Sequence, residues 1–214
     1  MQFTPSVRDD LGKLDIKPIY RSHERGTDMD ALDVISEQVV SGWLLILSSL
    51  LFLPGGFLYA GRAIWSWPAA KSRTYLYWER GFVMAAVLVA SLGFVLLAQL
   101  LGDASDRILS PIGMTIFLVG TILVIAAETF SFNRQEGVYV AIVVSVILAF
   151  LGQTMFGLSI LRTGYLAGWV GWATVIWNLA WLIILPIARP QNMYYPWLHY
   201  VAPLIIGTAL LGRG

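Results

Sequence analysis

The chain has 214 residues, of which 57% are hydrophobic and only 13% charged, and its mean hydropathy is +0.72. Soluble domains carry roughly a quarter charged residues, so this polar surface is too small for water and the chain belongs in a bilayer. A formal net charge of +1, without a basic tract and without cysteine, excludes nucleic-acid partners, disulfides, thiolate metal sites and a cysteine nucleophile.

Residues 1–37 read as a polar extramembrane tail punctuated by Pro5, Gly12, Pro18 and Gly26. Near its end, over about 28–37, Met29, Leu32 and Ile35 recur at helical spacing behind a Thr27/Asp30 pair that resembles a capping box. That pattern predicts a short amphipathic helix running into the membrane. The opening residues offer no apolar core for a signal peptide, so the first span is expected to direct insertion.

Residues 38–214 are expected to form an all-α polytopic bundle of six transmembrane helices. The first span, about 39–59, contains Pro54, Gly55 and Gly56. Proline removes a backbone donor and glycine adds freedom, so these three residues form a candidate hinge where a kink or early unwinding is expected. The loop predicted over 60–79 mixes Arg62, Lys71 and Arg73 with Trp65, Trp67, Tyr75, Tyr77 and Trp78, and Arg80 stands at its edge. Next to a span, that mixture reads as interfacial anchoring. The positive-inside rule then places this loop in the cytoplasm and both termini outside, in a bacterial plasma membrane.

The second span, about 81–101, carries Ala86, Ala90 and Gly93 as a close-packing stripe, and the third, about 109–130, ends near Glu128. The fourth, about 138–160, presents Ala141, Ser145, Ala149 and Gly152. The fifth, about 164–188, puts Gly164, Gly168 and Gly171 on the side of Asn178, a face suited to close helix approach. The sixth, about 196–211, is short and would use Tyr194 and Tyr195 to reach the interface.

Four polar residues form the candidate intramembrane site: Glu128, His199, Asn178 and Gln153. An ionisable group in a span is costly and normally has a partner. Glu128 and His199 could relay a proton or hold a ligand; the plainer expectation pairs Glu128 with Arg80 or Arg134 and leaves His199 in the headgroup layer. Asn178 is expected to hydrogen-bond another helix. Trp177 and Trp181 could line an apolar pocket for a lipid chain, quinone or carotenoid, although deep tryptophans more often pack. His23 and His199 are too few to hold a metal, and no HExxH, GxSxG or phosphate-loop motif occurs. No cofactor and no catalytic residue is therefore expected. The leading expectation is a non-enzymatic membrane protein, either an accessory or structural subunit or a lipid-binding bundle. Its partners would be membrane lipid and other membrane subunits, met through the tail and helix faces. The alternative is a small, proton-coupled transporter or channel with the intramembrane polar residues on its pathway.

Overall fold

The computed structural model describes residues 27–133, 139–188 and 198–213. Among them are six α-helices and no strand: α1 (Thr27–Ala63), α2 (Arg73–Asp103), α3 (Leu109–Asn133), α4 (Tyr139–Thr163), α5 (Gly168–Ala188) and α6 (Val201–Leu211). A 3-10 turn, Pro68–Lys71, lies between α1 and α2. The segments Glu37–Ala63, Arg73–Asp103, Leu109–Phe130 and Val140–Thr163 are long and apolar enough to cross a membrane. The chain is an all-α polytopic membrane bundle. The apolar run of α5, Gly168–Ile184, is shorter. At ~1.5 Å per residue, α6 rises about 16 Å, roughly half of a hydrocarbon core.

Several boundaries differ from those read in the sequence. The expected amphipathic segment and the first span form one continuous helix, although residues 1–26 and the side chains of 27–36 lie outside the described residues. Helix α1 also runs unbroken through Pro54, Gly55 and Gly56, so the expected unwinding is absent. The reason is local packing: a Cβ on Gly55 would lie 3.0 Å from the Cβ of Phe82, so neighbouring α2 holds the segment in place. Most of the predicted loop 60–79 is helical. Helix α1 continues to Ala63, and Ser72 starts α2 early by accepting a hydrogen bond from the Tyr75 N–H at 3.2 Å. Tyr194 and Tyr195 lie outside the described residues.

Helices adjacent in sequence pack side by side, and α6 closes the ring between α5 and α1. Lipid tails are as apolar as leucine, so this ring depends on close packing and hydrogen bonds rather than on hydrophobic burial. Backbones approach closely at three glycine pairs. A Cβ on Gly113 would lie 2.8 Å from the Gly152 carbonyl oxygen, one on Gly171 2.9 Å from that of Gly157, and one on Gly207 2.7 Å from that of Gly42.

The expected fifth-span stripe is corrected accordingly. Of its three glycines only Gly171 meets a neighbouring helix. Gly164 precedes α5 and terminates α4 with a φ of +63°, and a Cβ on Gly168 would meet nothing within 4 Å.

Interior packing divides the bundle along its axis. Phe94 stacks on Phe156 and meets Phe117 at a tilt, with ring centroids 4.7 Å apart in both pairs. With Leu45, Leu97, Leu101, Ile160, Ile206 and Leu210 these rings fill the half that α6 occupies. The other half, toward the end of α1 and the start of α2, contains a cavity.

Candidate functional site

The cavity measures about 90 Å³ and lies among α1, α2, α3, α4 and the residues leading into α6. A single water needs only roughly 10–15 Å³, so the space is several times larger. Its walls are mostly apolar, with Val83, Val87, Val124, Val146 and Ala149 from three helices and the hydroxyl residues Thr121 and Ser145 among them. Phe52, Phe117, His199 and Tyr200 line its inner end.

Four charged side chains line its outer end: Arg62, Glu79, Arg80 and Glu128. Arg62 stands one residue before the end of α1, and Glu79 and Arg80 lie in the second turn of α2. Arg62 grips Glu79 in a fork, donating from Nε to Oε2 at 2.9 Å and from Nη2 to Oε1 at 2.7 Å. Arg80 donates to Glu128, so α2 is bonded to α1 through one ion pair and to α3 through the other. The carboxylates are the more buried members, with side-chain exposures of 5% for Glu79 and 12% for Glu128. Buried carboxylates require such partners, because an uncompensated charge there costs several kcal/mol.

His199 lies deeper than the headgroup layer assigned to it from sequence. It is buried against Phe52 and Phe150, both near the middle of their helices, and packs on Tyr200. Its Nδ1 has no hydrogen-bond partner among the described residues. The backbone around it is held by three other elements. Trp177 Nε1 donates to the Leu198 carbonyl at 2.7 Å, Gln153 Nε2 to that of His199 at 2.9 Å, and Ser49 Oγ to that of Tyr200 at 2.8 Å. Pro203 explains the middle contact. It stands four residues after His199 and has no N–H, so the His199 carbonyl lacks its helical donor and Gln153 supplies one.

The four candidate polar residues therefore separate. Glu128 and His199 line opposite ends of one cavity, and Gln153 serves the backbone beside it. Asn178 is fully buried and donates to the Thr174 carbonyl of its own helix at 2.7 Å. Among the described residues Asn178 makes no interhelical bond, and its Oδ1 has no partner. Trp177 and Trp181 pack against each other at 5.8 Å and do not line the cavity.

The charged quartet was only partly visible in sequence. By sequence pattern Arg62 and Arg80 resemble interfacial anchors, and Glu79 falls in the expected loop 60–79. A carboxylate near the start of a helix, ahead of that helix's apolar stretch, gives no periodic signal of burial; only the position of α1 beside it does. Asp106 was missed for a similar reason. It is fully buried in the turn after α2, where it accepts from the N–H groups of Leu109 at 3.0 Å and Ser110 at 2.8 Å. Among the described residues no group of three or more His, Cys, Asp or Glu is placed to hold a metal. Comparison with protein-family models, curated proteins and solved structures gives no match to this chain.

Proposed function

We propose that this multi-pass protein is non-catalytic and holds a lipid-like amphiphile between α1 and α4. The observation that carries the reading is a cavity with mostly apolar walls and charges confined to one end. Such a gradient matches a molecule with an apolar chain and a polar head, because binding sites are mostly apolar with a few orienting polar groups. The Arg62–Glu79 and Arg80–Glu128 pairs keep the polar end compensated when the cavity is empty. In this reading the charged end faces the cytoplasm of a bacterial plasma membrane, following the basic residues around the first loop. The bound amphiphile would serve an assembly in which the protein acts as an accessory subunit.

The test is extraction in mild detergent, followed by native mass spectrometry of the full chain with and without Val124→Phe. Val124 lines the cavity and is only half-buried, so a larger ring there fills space without forcing the tight α3–α4 contact. Retained amphiphile is expected on the wild type and not on the variant, with size-exclusion and helicity checks showing the variant folded. An empty wild type, or equal retention by both, would refute the reading.

A transporter is the second reading, favoured by the side-chain-braced backbone at Leu198–Tyr200 beside the cavity's inner end. Discontinuous helices at mid-membrane are a recurrent feature of transport sites. A pH-dependent flux in vesicles that is abolished by Glu128→Gln would establish it over passive binding.

A further inference from the structure

Resting on that amphiphile reading, we propose that the outer end of the cavity selects a zwitterionic headgroup, one carrying a phosphate and an ammonium together, over a net-anionic headgroup on the same chains. The argument starts from charge balance. Two guanidinium and two carboxylate groups from three helices meet at one rim and are formally neutral as a set. Each cation is already bonded to a carboxylate. A net-anionic headgroup would leave this partly buried group with an uncompensated negative charge, whereas a zwitterion supplies both signs and preserves the balance.

Donor and acceptor capacity at the rim suits the same ligand. A guanidinium has five N–H donors, and the fork to Glu79 takes two of those on Arg62. Phosphate oxygens can take others in the planar geometry that arginine favours. Each Glu79 oxygen accepts one bond from Arg62, and an ionised carboxylate has about four acceptor sites, so an ammonium can share it. Arg62 is the more exposed member of its pair, with 34% of its side chain accessible, and so is the group a phosphate meets first.

The experiment uses the full-length protein in nanodiscs containing equal amounts of phosphatidylethanolamine, phosphatidylglycerol and diacylglycerol with identical chains. Native mass spectrometry reads which lipid remains bound. The wild type is expected to retain phosphatidylethanolamine over phosphatidylglycerol by roughly tenfold. Glu79→Gln leaves the rim with one net positive charge and is expected to reverse that preference toward phosphatidylglycerol. Glu128→Gln makes the same change in charge and replaces it if Glu79→Gln fails to fold.

Equal or greater retention of phosphatidylglycerol by the wild type would overturn the inference, as would an unchanged preference in the folded variant. Retention indifferent to headgroup but lost in Val124→Phe would refute zwitterion selection and leave the amphiphile reading standing. No Val124-sensitive retention of any lipid would refute both.

Discussion

Asp106 combines two jobs that are normally divided. Its carboxylate accepts from three successive N–H groups, those of Ile108, Leu109 and Ser110, and so satisfies the donors exposed where α3 begins. It also lies 3.8 Å from Arg162 Nη1 at the end of α4, which ties the α2–α3 turn to the neighbouring helix. Burial by itself would raise its pKa, but the nearby Ser159 hydroxyl and bonding from those backbone groups outweigh it and hold the carboxyl below its ordinary 3.8. Since the folded value is the lower one, the stabilisation is complete above the unfolded value and is lost as pH falls through the folded value. Asp106→Ala is expected to cost about 1–2 kcal/mol at neutral pH, read as a lower unfolding midpoint in denaturant. Asp106→Asn should flatten the wild-type loss of stability below about pH 4. An unchanged acid profile in Asp106→Asn would show that another group controls it.

Among the helices, glycine matters where two backbones meet and not wherever glycine recurs. Gly152 faces Gly113 so closely that a side chain must displace α3, and Gly152→Leu is expected to destabilise the bundle by about 1–3 kcal/mol or prevent its assembly. Gly168→Leu enters open space and should leave the unfolding midpoint within about 0.5 kcal/mol of the wild type. Comparable damage from both would contradict the packing described.

The brace on the segment before α6 makes a different demand. Gln153→Leu leaves the buried His199 carbonyl without its donor and should cost about 1–3 kcal/mol. Pro203→Ala returns an N–H at the position that would normally bond that carbonyl, so it should recover most of the loss when added to Gln153→Leu. A double-mutant cycle measures this directly, and strict additivity would refute the repair.

At the level of the whole molecule, the two halves of the bundle differ in what fills them. Aromatic rings from α2, α3 and α4 close the interior at the α6 end, with Phe117 and Phe156 both against Phe94. Toward the end of α1 the same helices enclose apolar space ringed by ion pairs. The first half supplies rigidity, and the second holds the unfilled volume and the charges on which the proposed binding depends. Substitutions on the two halves should therefore separate experimentally: Gly152→Leu acts on stability, whereas Val124→Phe acts on retained lipid.

The sequence alone determined that the chain lies in a bilayer as a helical bundle, because length and apolarity suffice for that inference. It also marked Glu128 as needing a partner and proposed Arg80 as one, since an isolated charge in a span is costly. Three decisions waited for the tertiary structure: Glu79 paired with Arg62, Gly171 chosen over Gly164 and Gly168, and His199 drawn into the interior. Each depends on which residues of two helices stand at the same height. In lipid nearly every helix face is apolar, so periodicity distinguishes faces weakly and carries no information about register between helices. Register is set by the best fit of small against large side chains and by pairing of the few polar groups, and those exist only once the helices are packed.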